Sequence, residues 1–319
     1  MRIGQNPAKS VQSVPQPEEV TVAIVTYIPT LGGYYAQSLD ILKTCLGSIW
    51  ENTPTPYDLL VFDNGSCAPV REYLSAAEEA GKIQYLVFSE KNIGKAGAWN
   101  FIFGAAPGQY IAYADSDVYH YPGWLGAQLD VLKSFPQAGM VTGMPMWTPE
   151  QFSTSTVDWA ESHSKIHLER GRFLAWEDYW RHSQSLGADE EEARAHYDAN
   201  ETICVFRGEE QYYVGAAHFQ FVAPKQALQS VLPIPSRRPM GEVRLLDIAL
   251  NERGYLRLTT PDWWVEHMGN VPSDRFKAQE TGAGSRARGA PRGGIWKSKP
   301  VQKIARWLYH LSFEILYRD

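Results

Sequence analysis

Gln109-Tyr110-Ile111-Ala112-Tyr113-Ala114-Asp115-Ser116-Asp117-Val118 is the stretch on which the reading of this chain turns. An apolar, strand-like run stops abruptly at two carboxylates spaced i, i+2. In an open α/β sheet, ligands bind beyond the carboxyl ends of the strands. Two acids placed there lie at the floor of a crevice, close enough to share one divalent cation. Mg²⁺ commonly takes one or two carboxylates and completes its shell with substrate phosphate oxygens and water. Taken alone, the triplet fits a solvated turn equally well, because Asp and Ser favour turns. The surrounding chain has to decide.

Upstream, Val20-Thr21-Val22-Ala23-Ile24-Val25-Thr26 is β-branched and almost continuously apolar, as a buried parallel strand should be. Residues 1–19 before it are polar and Pro-containing and are predicted to be flexible. A helix is predicted over 38–50, with Leu39, Leu42, Leu46 and Ile49 at 3–4 spacing. Strands follow at 57–62 and 83–88, separated by a helix over 69–80. Asn92-Ile93-Gly94-Lys95-Ala96-Gly97-Ala98-Trp99-Asn100 is a glycine-rich approach to a short helix. This β-α alternation predicts a mostly parallel, doubly wound sheet.

Beyond the triplet, residues 148–211 change character. The charged, aromatic segments 159–170 and 177–199 are predicted helices of an insertion, either a lid or a solvated cover. Strand character returns over 212–222. A short helix over 226–232, a loop over 233–241 with Arg237 and Arg238, and a helix over 247–253 ending at Gly254 come next. The last strand candidates are 256–260 and 263–267. Residues 271–298 read as a basic Gly/Arg linker. Val301, Ile304, Leu308, Leu311 and Ile315 form one apolar stripe at helical spacing. That stripe predicts an amphipathic C-terminal helix over 299–319, suited to docking on the body, on a partner or on a membrane surface.

A chain of 319 residues is long enough for a large core, and 44% apolar with 21% charged residues is an ordinary globular balance. Eleven Trp and seventeen Tyr suit a cleft that stacks flat rings, sugars or bases. The net charge of −6 is uneven: residues 271–319 carry about +6 and the first 270 about −12. A basic tail on an acidic body favours an anionic partner for the tail, such as a membrane surface, and no nucleic acid is expected. Three cysteines without metal-ligand spacing argue against a disulfide framework. With no apolar leader in residues 1–19, a cytoplasmic location is expected, peripheral to the inner face of the plasma membrane if the tail binds there.

Five pieces then fall in order: Thr26-Tyr27 with Pro29; Val61-Phe62-Asp63-Asn64-Gly65-Ser66; Asn92-Ile93-Gly94-Lys95 with Asn100; Asp115-Ser116-Asp117 followed by Tyr121-Pro122-Gly123-Trp124-Leu125; and a late acidic segment with Glu242, Asp247 and His267. In this order the sequence resembles the family 2 inverting glycosyltransferases of GT-A fold. The likeness is strong over 20–128 and moderate over 212–270, and residues 20–270 are the expected GT-A domain. The resemblance implies a Rossmann-like sheet flanked by helices and a divalent metal, Mn²⁺ or Mg²⁺. It also implies a nucleotide-sugar donor and a glycan, glycolipid or other hydroxyl acceptor, and the basic tail favours a place in cell-envelope or polysaccharide synthesis.

The resemblance also distributes roles. Asp117 is the expected main metal ligand, with Asp115 nearer the ribose or sharing the metal, and His267 as a third ligand. Asp63 is expected to recognise the nucleotide or to close an Asx turn. Thr26, Tyr27, Asn92, Gly94 and Lys95 are expected to line the donor pocket, with Arg237 and Arg238 as further diphosphate candidates. The base is expected at Asp247, with Glu242 second, although the family's usual adjacent acids are here five residues apart. Asp247 reads equally as a helix N-cap. His218, Trp147 and Trp264 are the acceptor-side candidates, each also readable as core. A nucleotidyltransferase would need a basic loop after the first strand, and residues 26–35 hold no Lys or Arg. The other alternative is an inactive sugar-nucleotide binder or scaffold.

Overall fold

The structure is a computed structural model that describes residues 4–240, 242–270 and 276. The chain begins with an exposed segment containing one short turn, Pro7–Ser10. A repeating unit follows: β1 (Val20–Thr26), α1 (Ser38–Asn52), β2 (Asp58–Asp63), α2 (Ala68–Glu79), β3 (Tyr85–Phe88), α3 (Lys95–Ala105) and β4 (Tyr110–Asp115). These four strands are parallel, and their register sets Thr26 beside Asp63 and Val25 beside Asp115. Three of the sequence motifs therefore end on one sheet edge, where a doubly wound fold opens its crevice.

The second half is mixed. It runs β5 (Val118–His120), α4 (Trp124–Ser134), β6 (Ala138–Thr142), α5 (Thr154–Ser162), β7 (His167–Gly171), α6 (Trp176–Ser185), α7 (Glu190–Ala199), β8 (Thr202–Arg207) and β9 (Glu210–Val214). β10 (Gln220–Pro224), α8 (Lys225–Ser230), α9 (Arg244–Glu252), β11 (Leu256–Thr259) and β12 (Val265–His267) complete it. The main sheet has ten strands in the order β3-β2-β1-β4-β10-β6-β11-β9-β8-β7, and β12 pairs with β5 in a separate antiparallel ribbon.

Strand alternation divides the core. Val22 and Ile24 face the layer of α1, α2 and α4, whereas Ala23, Ile111 and Tyr113 face α3, α8 and α9. On α1 the buried set Ile41, Leu42, Cys45, Leu46 and Ile49 follows the 3–4 spacing of one helix face. Opposite, Trp99 stacks on Phe103 at 5.8 Å and meets Tyr113 edge-on at 5.5 Å. A buried amide chain ties β10 to the neighbouring layer: Gln220 Oε1 accepts from the Gly143 amide, and Gln220 Nε2 donates to Gln128 Oε1, both at 3.0 Å. A Cβ on Gly143 would stand 2.8 Å from Gln128 Nε2, so any larger residue there would displace the Gln128 amide.

The insertion differs from its predicted form. Residues 159–170 do not form one helix, because α5 ends at Ser162 and β7 occupies His167–Gly171. Residues 177–199 form two helices, broken where Gly187 takes φ +78°. The insertion thus lengthens the central sheet by β7 and β8 rather than only covering a face. Residues 212–222 are likewise two strands, β9 and β10, on different neighbours. Strand β4 stops at Asp115, and α4 and β6 had no counterpart among the predicted elements. The predicted linker, apart from Phe276, and the C-terminal helix at 299–319 lie outside the described residues. Among the described residues no helix is long and apolar enough to cross a membrane.

Candidate active site

At the crevice edge the two acids of the triplet have different neighbours. Asp115 ends β4, with Oδ2 accepting from Lys95 Nζ at 2.6 Å and Oδ1 from the Tyr113 hydroxyl at 2.5 Å. Lys95 is 7% exposed, and its ammonium also sits 5.4 Å from the Trp99 ring centroid. Burial, reinforced by the Asp115 charge, pushes the Tyr113 phenol well above its usual value, so it stays a donor. Lys95 and Asp115 are therefore a pair, whereas the sequence placed one at the diphosphate and the other at the ribose or metal.

Asp117 lies in the turn between β4 and β5. Its Oδ2 is 3.3 Å from His267 Nε2, and its Oδ1 is enclosed without a protein partner. The approach of these two residues follows from the β5–β12 ribbon, which sets His267 opposite Val118. The Asp117 amide oxygen accepts from the Met268 amide at 2.8 Å, closing the same corner. Burial acts to raise the Asp117 carboxyl, but the facing His267 holds it below the ordinary value. Burial acts to lower His267, and Asp117 outweighs it and holds the imidazole above its ordinary value.

His267 is oriented from the insertion. Its Nδ1 lies 3.0 Å from Ser185 Oγ, and Ser185 spends its one hydroxyl proton on the His182 carbonyl at 2.7 Å. Ser185 can then only accept from the imidazole, which puts a proton on Nδ1 and leaves Nε2 facing Asp117. Phe219 meets the His267 ring edge-on at 5.7 Å and stacks on His182 at 5.2 Å. Nearby, Arg181 on α6 pairs with Glu266 and lies 4.3 Å from the Trp263 ring centroid. The insertion helix therefore braces the site. Ser185, His182 and Arg181 were not among the sequence candidates, because charge and helical period say nothing about a neighbour 82 residues away.

The donor-side candidates behave unequally. Asp63 is fully buried; both its oxygens accept from the Ser66 amide, and Oδ2 also accepts from Arg71 Nε at 3.1 Å. These bonds make Asp63 a turn-closing residue at the end of β2. Thr26 is likewise enclosed, at 1% exposure, while Tyr27 is exposed and available to stack. Asn92 Oδ1 accepts from the side chain of Asn64 at 3.0 Å and from the Gly94 amide at 2.8 Å, pinning the glycine loop to the end of β2. Gly94 takes φ +78°, and a Cβ on it would stand 2.6 Å from Ser236 Oγ and 3.0 Å from the Arg238 carbonyl. Its role is to admit the 236–239 loop, whose Pro239 carbonyl accepts from the Lys95 amide at 2.9 Å. Arg237 and Arg238 are exposed on that loop.

Glu242, a candidate base, instead holds this loop: Oε2 accepts from the amides of Arg237 at 2.8 Å and Arg238 at 3.2 Å. Helix α9 starts at Arg244, with Val243 as its cap, so Asp247 is inside the first turn and is not the N-cap. Asp247 is 3% exposed, with Oδ1 2.8 Å from Arg257 Nη2 and Oδ2 3.0 Å from His218 Nδ1. The acceptor-side tryptophans are not open platforms. Trp264 packs over the Gly123 turn, and Trp147 donates to the Glu201 carbonyl at 3.1 Å. Trp147 also lines a cleft of about 490 Å³ with Glu150, Arg170, Arg172 and Asp198, and no donor-side candidate borders it.

Among the described residues, Asp117 and His267 offer a place that a divalent metal would fit. Asp117 has an enclosed oxygen without a partner, and His267 presents Nε2 beside it. No group of three or more His, Cys, Asp or Glu side chains suited to a metal exists among the described residues. A metal held here would draw its other ligands from substrate phosphate and water, which suits Mg²⁺ or Mn²⁺.

The sheet and its flanking helices have the GT-A fold. Residues 28–184, just under half of the chain, match the family described as Glycosyl transferase family 2. It is similar to the Uncharacterized glycosyltransferase alr2836 of Nostoc sp., at 24% identity over 140 residues, 42% of this chain and 43% of that protein. It thus spans less than half the length of that relative. Among solved structures, GalNAc-T7 with UDP, GalNAc and Mn²⁺ superposes with a TM-score of 0.51 at 14% identity, over 79% of this chain and 44% of that one. TarS of S. aureus, residues 1–349, gives 0.47 at 12% identity, over 78% of this chain and 60% of that one.

Proposed function

We propose that this chain is a metal-dependent, inverting glycosyltransferase that moves one sugar from a nucleoside-diphosphate sugar to a hydroxyl acceptor. The observation that carries the reading is the Asp117–His267 pair, with its orphaned carboxylate oxygen at the crevice edge. Asp117 and His267 hold a divalent ion, which when bound offsets the charge that grows on the departing diphosphate. GalNAc-T7, solved with UDP and Mn²⁺, supports a metal of this kind in the same fold.

The remaining work belongs to the chain's own residues. Ser185 fixes the tautomer and plane of His267. Lys95 neutralises Asp115 and keeps a cation beside the diphosphate position. Arg237 and Arg238, exposed on a loop latched by Glu242, are placed to meet phosphate oxygens. Tyr27 offers an exposed ring for the base. Inversion requires a single displacement, in which the acceptor oxygen loses its proton as it attacks. Of the two base candidates, Glu242 is committed to holding a loop, and Asp247 is enclosed beside His218, an acceptor-side candidate.

The decisive experiment is thermal unfolding with UDP, GDP, dTDP or CDP, each with and without Mn²⁺. At 100 times Kd, a nucleotide that binds the folded state stabilises it by about 2.7 kcal/mol. For a chain of this size that is a rise of roughly 5–10 °C. No Mn²⁺-dependent rise with any of the four would refute the donor model. The charge of residues 271–319 supports action at an anionic membrane surface on an envelope glycan or glycolipid. Co-sedimentation with phosphatidylglycerol vesicles, lost when the chain stops at residue 276, is the expected result, and equal pelleting of both chains would oppose it.

A further inference from the structure

We propose that His218 is the general base of this transferase and that Asp247 and Arg257 are its positioning residues; the assignment rests on the transferase reading above. The backbone on either side of His218 is pinned to two strand ends. The Ala217 amide donates to Thr142 Oγ1 at 2.8 Å at the end of β6, and the Phe219 carbonyl accepts from the Asp115 amide at 2.8 Å at the end of β4. His218 is therefore held between the two strands whose ends floor the crevice, one residue from the ring that packs on His267.

The exposure of the three groups is graded. The Arg257 side chain is 1% exposed, the Asp247 side chain 5% and the His218 side chain 31%. Arg257 is fixed by donation to the carbonyls of Phe152 at 2.6 Å and Ala216 at 2.5 Å. Its Nη2 stands 2.8 Å from one oxygen of Asp247, and the other oxygen stands 3.0 Å from His218 Nδ1, both as close charge contacts rather than aligned hydrogen bonds. An enclosed carboxylate of this kind cannot meet an acceptor hydroxyl, but the imidazole in front of it can. A carboxylate at Nδ1 favours the tautomer with its proton there, which leaves the lone pair on Nε2. The same carboxylate stabilises the imidazolium once Nε2 has taken a proton, as in a Ser-His-Asp triad without the serine.

The step balances. The acceptor O–H bond breaks and its proton moves to Nε2. The oxygen's electron pair forms the new bond to the anomeric carbon, and the bond from that carbon to the diphosphate oxygen breaks with its pair. The imidazolium then returns its proton to solvent. Asp247 is the charged group against the imidazole, and Arg257 behind it balances its charge.

The test uses the full chain with Mn²⁺ and UDP-glucose, UDP-N-acetylglucosamine, GDP-mannose and dTDP-rhamnose, with water as the acceptor and release of nucleoside diphosphate as the signal. His218→Gln and His218→Ala should lower that rate by about 10²-fold or more while keeping the Mn²⁺-dependent thermal shift with nucleotide. Added imidazoles should restore His218→Ala, with a rate that climbs with the imidazole's basicity. Asp247→Asn should slow release without weakening nucleotide binding. A wild-type rate in His218→Gln, with the wild type active, overturns the base assignment alone. Rescue that is indifferent to imidazole basicity overturns it too, because that pattern reports cavity filling. A wild type inert toward all four donors overturns the transferase reading and this assignment together.

Discussion

At the scale of single residues, the triplet divides as far as its two carboxylates are already occupied. Asp115 is saturated by Lys95 and Tyr113, and Asp117 keeps an oxygen free of protein donors. Asp117→Asn should therefore remove the Mn²⁺-dependent part of the nucleotide thermal shift, and an unchanged shift would exclude it as a ligand. Ser185→Ala leaves both ligands in place but releases the His267 ring, so Mn²⁺ affinity should fall by roughly 10–100-fold in calorimetric titration. Asp247→Ala has a separate cost in stability. It strands the fully buried Arg257 guanidinium, and losing one partner of a buried pair costs about 3–5 kcal/mol, readable in urea unfolding. A loss of only about 1 kcal/mol, the size of an ordinary hydrogen bond, would show that Arg257 does not depend on Asp247. The sequence showed these residue types and their order, but not which carboxylates were already taken. Lys95 with Asp115, or Arg257 with Asp247, meet only when the sheet closes.

At the scale of elements, the first four strands and three helices were legible because each is a buried parallel strand or a helix with a single apolar face. The β-α rhythm and the two hydrophobic periods agree there. Legibility failed in the insertion for a physical reason. β7 is an edge strand, His167–Gly171, with little burial on either face, so no alternation distinguishes it from a charged helix. β9 and β10 merged in the reading because the Gly215-Ala216-Ala217 stretch between them is small and partly apolar, without a strong turn signal. The glycine loop was legible, but the neighbour it lies against was not. Gly94 makes room for a neighbouring loop, and Gly94→Ala adds both a strained φ and a clash with the 236–239 backbone. A loss of roughly 1–2 kcal/mol in urea unfolding is expected, together with a weaker nucleotide shift as Arg237 and Arg238 move. Full stability in that variant would show that the loop does not need the close approach.

At the scale of the whole molecule, acid sensitivity should centre on the β5–β12 ribbon. His120 on β5 is fully buried, its Nε2 has no partner, and burial pushes its imidazole down to about 3. The unfolded chain takes up that proton near pH 6.5, while the folded chain resists it until about pH 3. His120 therefore leaves stability intact above pH 6.5 and subtracts from it as pH falls toward 3, by about 1.4 kcal/mol per pH unit at most. Urea unfolding of the wild type between pH 7 and 4.5 should show this slope, and His120→Gln should flatten it. An identical slope in both proteins would assign the acid sensitivity elsewhere. The ribbon also carries His267 and abuts Asp117, so acid should remove metal-linked nucleotide binding no later than it unfolds the sheet.

The brace from Ser185 to His267 has a consequence for how such enzymes diversify. Insertions in α/β enzymes are commonly treated as exchangeable parts that set acceptor choice and leave the catalytic floor untouched. Here that separation does not hold, because α6 supplies the acceptor for an imidazole proton beside Asp117. A chimera that swaps residues 148–211 for another segment would inherit a misaligned ligand along with a new cleft. Its loss of activity would then be mistaken for a mismatch of substrate. Recombination within this lineage is consequently constrained to cut points that carry Ser185 and its histidine together.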